Sequence, residues 1–198
     1  MTPSVITRHR RTLVRLFGQV LEVNAQPERK RLECLTIQEE LIKRISYAER
    51  CIKELKTKTK RLKASLKERL PKAKADEVKQ YKTECQESVQ EYQELISILR
   101  QIGDGLAFTY LDKLDIKPMA FKPPSGALTG KQGSRLERRI LRETFSQGHV
   151  ALLNDLTHCL RYGDVTIVRD GLFFLVEAKS GKTANKRTRR QEAGLNMI

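Results

Sequence analysis

The sequence predicts an α+β chain: a long antiparallel helical coiled-coil hairpin followed by a small α/β unit. Three observations predict it. Two apolar heptad stripes flank Pro71, a Pro-, Gly- and Ser-rich segment runs from Phe121 to Ser134, and two short apolar runs enclose Asp170-Gly171. Stripes of this kind carry the 3.5-residue period of a coiled-coil seam, and a short break between two of them favours a fold-back.

Residues 1–27 read as a basic helix with Val5, Leu13, Leu16, Phe17 and Val20 on one side, broken at Pro27. Residues 28–103 hold the hairpin. Its first stripe is Leu41, Ile45, Ala48, Ile52, Leu55, Thr59, Leu62 and Leu66, and its second is Val78, Tyr81, Cys85, Ser88, Tyr92, Leu95, Leu99 and Ile102. Gly103-Asp104-Gly105 is expected to end the second helix. Residues 104–133 are read as one short helix over 106–114 and then a linker, with the domain boundary in that linker. Residues 134–198 form the α/β unit. Leu136, Ile140, Leu141 and Phe145 define a helix over 134–147, with Ser134 as its N-cap. A buried strand over 149–153 follows, then strands over 164–168 and 172–179, and a helical pattern from 183.

Composition bounds the function. The 198 residues are 39% hydrophobic and 6% aromatic, with no Trp, which is lean for one large core but normal for a chain with much surface helix. The net charge of +15 favours anionic partners such as nucleic acid or an anionic membrane surface. It is unevenly spread: residues 1–70 carry 18 Lys/Arg against 8 Asp/Glu, residues 71–103 carry 5 against 6, and residues 104–198 carry 16 against 10. Cys34, Cys51, Cys85 and Cys159 have no CxxC spacing and no His cluster beside them, so they are expected as free thiols in a reducing cytoplasm rather than zinc ligands. No apolar run approaches the ~18 residues of a membrane span and no secretory leader is present, so the chain is expected to be soluble and cytoplasmic.

The chemistry concentrates in the hairpin. Asp170-Gly171 is the signature of a two-residue type I′ turn, which sets Arg169 opposite Leu172. Counting back, Asp164 falls opposite Glu177, two carboxylates on one face with Cβ atoms about 5 Å apart. Like charges so placed need compensation. Lys179, two residues from Glu177, projects from the same face and supplies part of it. A divalent cation supplies more: Mg²⁺, or Mn²⁺ in its place, takes one or two carboxylates and keeps several waters. A solvated sheet face would also accommodate acids and bases at strand ends. Thr166, Val168, Phe173 and Leu175 share this face, however, so the polar group stands at one end of an apolar surface, which points to a site.

Asp164, a strand, then Glu177-Ala178-Lys179 resembles the D…(D/E)xK signature of the PD-(D/E)xK, or restriction-endonuclease-like, nuclease superfamily. That core runs helix, three strands, helix, strand, and residues 134–198 match it as αβββα, with no fourth core strand visible. Gly133-Ser134-Arg135-Leu136-Glu137 fits the first-helix Glu of many members. The resemblance covers about a third of the chain and departs from the pattern at Gly163, where Pro commonly precedes the Asp. It implies that Asp164, Glu177 and Glu137 hold Mg²⁺ and that Lys179 assists the attacking water. It also implies that DNA rather than RNA is the substrate. Gln191 resembles the second-helix Gln of RecB-type members, although Leu195 stands where a Tyr follows it there.

Other motifs carry less. Ser180-Gly181-Lys182-Thr183 ends like a phosphate-binding loop, but Val176 occupies the Gly position that loop needs, and Ser125 spoils Gly130-Lys131 in the same way. Lys182, Lys186, Arg187, Arg189 and Arg190 adjoin the proposed site and are assigned to the substrate backbone together with Gln191. Arg8, Arg10, Arg11 and Arg15 either touch nucleic acid or solvate their helix. The heptads are read as a structural arm or a homodimerisation device. Glu143, His149, Asp155 and His158 have no spacing that singles them out. The function expected is Mg²⁺-dependent endonucleolytic hydrolysis of phosphodiester bonds. The alternative is a non-catalytic basic coiled-coil module, binding nucleic acid or protein, with a degenerate nuclease core. A third reading is a membrane-surface protein using the basic first helix.

Overall fold

The computed structural model describes residues 4–66, 70–119, 127–131 and 133–178, with the side chains of 117–119 left aside. Five α-helices, a 3₁₀ turn and three strands follow one another among them: α1 (Val5–Ala25), α2 (Arg31–Ser65), α3 (Lys72–Tyr110), α4 (Lys113–Met119), α5 (Ser134–Ser146), β1 (Val150–Leu153), the 3₁₀ turn Asn154–Leu156, β2 (Val165–Arg169) and β3 (Leu172–Val176). The chain is mostly helical with a small antiparallel sheet, as the α+β expectation required.

The heptads do what their spacing dictates. α2 and α3 pack along one another, and their order is antiparallel: Tyr47 meets Tyr92 with ring centroids 6.4 Å apart, while nearer the other end Cys34 reaches Tyr110. Leu41, Ile45 and Ala48 are buried against Tyr92, Leu95, Leu99 and Ile102, whereas Tyr81 is exposed. The reason is α1. Its start lies beside α3, where Glu91 Oε2 accepts the Val5 N–H at 2.8 Å, and its Val20 abuts Gly105 of the same helix. α1 therefore runs alongside the second half of α3 and makes a three-helix base. Beyond Cys51 and Glu91, α2 and α3 continue as a two-helix arm with less to bury against. The buried stripe of α1 is Val5, Leu16, Val20 and Val23. Phe17, expected on that side, stands one helical position away from Leu16 and is exposed.

Two sequence expectations fail at helix ends. Gly103-Asp104-Gly105 does not stop the second helix, which runs on to Tyr110 and absorbs residues 106–110. These residues serve the fold differently. A Cβ on Gly103 would sit 2.0 Å from the carbonyl oxygen of Leu156, so the glycine lets the 3₁₀ turn lie against the helix backbone. Asp104 then accepts the backbone N–H groups of His158 and Cys159 at 2.7 and 3.0 Å. At α5 the N-cap is Gly133, at φ 102°, and Ser134 is already the first helical residue.

The sheet is a meander in the order β1-β2-β3. The turn holds Asp170 at φ 52° and Gly171 at φ 76°, and Arg169 pairs with Leu172, the register the Asp-Gly turn predicts. β1 is buried throughout, and α2 covers its free edge with a side chain: Gln38 donates to the Ala151 carbonyl at 2.8 Å and accepts the Leu153 N–H at 2.9 Å. A buried amide thus supplies the two hydrogen bonds a neighbouring strand would have made. One contiguous apolar cluster includes Leu16, Leu41, Leu99, Leu141, Leu152 and Leu160, so the helical base and the sheet share a core. No helix among the described residues is long and apolar enough to cross a membrane.

Candidate active site

At the end of the sheet the ladder changes character. Regular pairing stops at Val165 opposite Val176, and the Asp164 N–H donates to the same Val176 carbonyl at 2.8 Å. Two residues at the start of β2 thus face one on β3, the arrangement of a β-bulge, which re-aims the side chain. The Asp164 carboxylate turns to accept the Ala178 N–H at 2.8 Å through Oδ2. It crosses the strand end instead of standing in a plain ladder pair with Glu177. Gly163 makes this possible. Its φ of 69° is closed to proline, and a Cβ there would press on the Val176 carbonyl at 3.1 Å, which accounts for the absence of Pro before the Asp.

Around Asp164 three elements deliver three carboxylates to one point. Asp164 Oδ1 lies 3.0 Å from the Lys131 ammonium, Glu137 Oε1 in the first turn of α5 lies 2.8 Å from it, and Asp155 Oδ2 in the 3₁₀ turn lies 2.7 Å from it. Lys131 itself arrives on a short segment fastened to α2. Leu128 is buried in the core, and the Glu49 carboxylate accepts the Leu128 and Thr129 N–H groups at 2.8 and 2.7 Å. Asn154 sets the relative position of Asp155 and Asp164. Its backbone N–H donates to the Asp164 carbonyl at 3.0 Å, its side chain donates to the Tyr162 carbonyl at 2.6 Å, and it accepts the Thr166 hydroxyl at 2.8 Å.

The electrostatics follow from burial and crowding. Glu137 is 2% exposed, and burial raises its carboxyl above the ordinary range; Lys131 opposes this while Asp164 and Asp155 add to it. Burial alone would lower the Lys131 ammonium, but Asp155, Glu137 and Asp164 together hold it well above the usual lysine value. The cluster is therefore a cation enclosed by hard oxygen donors.

Glu137, which the resemblance joins to Asp164, meets it at this point. Glu177 follows β3, partly buried, beside the Ala178 that Asp164 binds. Lys179, Lys182, Lys186, Arg187, Arg189, Arg190 and Gln191 lie outside the described residues, as does the helix expected from 183. Two members were missed. Asp155 joins the site only where the turn after β1 bends inward, and the 3₁₀ turn does so here. In sequence Lys131 suggests no more than an incomplete phosphate loop, and no local pattern marks a lysine that reaches carboxylates 6, 24 and 33 residues away.

The donor set fits a hard divalent cation in kind, since it is all carboxylate oxygen. Its spacing is that of an ammonium, with N–O distances of 2.7 to 3.0 Å. Mg²⁺ needs about 2.1 Å. Consistently, no group of three His, Cys, Asp or Glu among the described residues is arranged to hold a metal ion. Lys131 stands where the cation would, so a metal could enter only as the lysine withdrew. No family model, curated protein or solved structure matches the chain.

Proposed function

We propose that the chain is a metal-dependent nuclease of PD-(D/E)xK type, with a restriction-endonuclease-like core built on α5 and the three strands. The observation that supports it is the convergence of Glu137 and Asp164, from separate elements, on a single enclosed cation. Glu137, Asp155 and Asp164 would hold Mg²⁺ or Mn²⁺, with Glu177 beside them. When bound, such an ion polarises a phosphoryl oxygen and lowers the pKa of its water.

The chain's own residues do the rest. The Asn154 N–H holds the Asp164 backbone carbonyl, and the Ala178 N–H holds the Asp164 carboxylate. The start of α5 favours an anion at Glu137, because the helix N-terminus carries positive partial charge. Lys179 is assigned to the attacking water by the resemblance, and Lys131 neutralises the carboxylates until metal binds. In the overall reaction water adds to phosphorus, the ester P–O bond breaks, and the proton reaches the leaving oxygen.

The test is a cleavage assay on plasmid, linear duplex, single-stranded DNA and RNA with Mg²⁺, Mn²⁺ or EDTA. It includes Asp164→Ala and Lys179→Ala. Metal-dependent cutting lost in both variants supports the reading. No cutting by folded wild-type protein that still binds nucleic acid would move the assignment to a binding module with a degenerate core.

A further inference from the structure

The two-helix arm carries a cationic groove that leads to the candidate site. Two contiguous hollows, of about 880 and 440 Å³, run between α2 and α3 and share Lys56, Lys60 and Gln93. At one end the larger hollow is lined by Thr129 and Gly130, the residues immediately before Lys131. At the other the smaller reaches Lys63. From Arg50 to Lys63, α2 lines the groove with Arg50, Lys53, Lys56, Lys60 and Lys63. At 1.5 Å per residue that row is about 20 Å long.

The charges are sorted. α3 lines the groove with the amides Gln86, Gln90 and Gln93, while Glu84, Glu87, Glu91 and Glu94 repeat at helical spacing on another face, where Glu91 binds the start of α1. The one carboxylate in the groove wall, Glu49, has both oxygens engaged by Leu128 and Thr129. Among the described residues, Arg50, Lys53, Lys56, Lys60 and Lys63 make no ion pair. Opposite them stand the amides of α3.

We infer that this groove is a docking track for the phosphate backbone of duplex nucleic acid, which it leads toward the Lys131 cluster. No aromatic side chain lines it, so a single strand finds no platform on which to stack its bases. A row about 20 Å long instead matches the phosphates of roughly six base pairs of one duplex strand at 3.4 Å each. Contacts of this kind position without reading sequence. The guiding role rests on the nuclease reading, whereas the binding does not.

The experiment measures binding of a labelled DNA duplex, in EDTA, across a salt series. It compares wild type with Lys53→Gln/Lys56→Gln/Lys60→Gln and with a control, Lys72→Gln/Lys74→Gln/Lys82→Gln, that removes equal charge from α3 outside the groove. Glutamine keeps the helix propensity of lysine. The groove variant is expected to bind at least tenfold more weakly at moderate salt and to lower the slope of log K against log salt by about 2 to 3. The control should stay within twofold. Equal losses in both variants, or none in either, would overturn the inference, as would a preference for single strands or equal binding of polyglutamate through the same lysines. Cleavage is scored separately. Binding through the groove without cutting keeps this inference and removes the nuclease reading, and cutting with unaltered binding in the groove variant does the reverse.

Discussion

The ammonium of Lys131 lies 3.0 Å from Oδ1 of Asp164, and the same nitrogen is held by Glu137 and Asp155. One lysine therefore balances three carboxylates drawn from the helix, the 3₁₀ turn and the sheet. Replacing it with methionine leaves the buried Glu137 without its cation. Lys131→Met should cost about 2 kcal/mol of stability at neutral pH, the scale of a lost charged hydrogen bond in a partly buried site. The lysine's pKa is raised in the fold, so its contribution is complete below the ordinary lysine value and is lost only as pH rises through the folded one. In the variant the carboxylates repel, so stability should recover on acidification or on adding Mn²⁺. Thermal unfolding at pH 5 and pH 7.5, with and without the metal, checks this.

Asp164→Asn keeps the shape but removes the charge. On the proposed nuclease reading it should reduce metal-dependent cleavage by at least roughly a hundredfold, no less than the loss seen when groups merely supporting a metal ligand are changed. Asn154→Ala should lower activity less, because it removes the side-chain bonds to Tyr162 and Thr166 that flank Asp164 but keeps the backbone bond to Asp164 itself. Parallel rate measurements on folded variants decide the order; equal losses would mean that Asn154 acts on the fold as a whole.

Glu137 has a raised carboxyl pKa, caused first by burial. The proton is therefore favoured in the folded state, and the associated stability is present below the ordinary carboxylate value and lost as pH rises through the folded one. Metal binding needs the ionised form. Mn²⁺ affinity should weaken on acidification at a pH above that expected of an exposed Glu, and Glu137→Gln should shift this limb to lower pH. Calorimetric titration across the pH range shows whether it does.

Gly103→Ala tests the approach of the 3₁₀ turn to α3. Helix propensity alone would favour alanine by about 1 kcal/mol. The added methyl would meet the Leu156 carbonyl at 2.0 Å, which backbone alone can relieve. Overpacking of this kind costs about 1 to 3 kcal/mol, so a net loss of stability is expected in chemical denaturation.

Gln38→Leu removes the amide that covers the edge of β1 and leaves the Ala151 carbonyl and Leu153 N–H buried without that partner. A loss of about 1 to 3 kcal/mol for each such group predicts a much lower melting temperature. Hydrogen exchange at Leu153 should quicken well ahead of exchange at Ile167, whose neighbours on both sides are strands.

Local rules were enough for the parts of this protein that depend on neighbours in the chain. Heptad spacing determined α2 and α3, the Asp-Gly pair determined the hairpin and its register, and the alternation of elements from 134 onward determined the helix and the meander. Asp164 was legible from its place at a strand start in the Asp-Gly register, whereas Glu137 was singled out through the resemblance to a nuclease core. Tertiary structure decided the rest. Whether Gly103 stops a helix or admits a carbonyl depends on what lies across from it, and here Leu156 does. Phe17 is exposed because α3 covers the adjacent stripe of α1. Lys131 and Asp155 join the site because Glu49 pins one segment to α2 and Asn154 locks the other to β2. Coulomb attraction acts on distance in space, and the distances among these residues exist only once the helices and the sheet share a core.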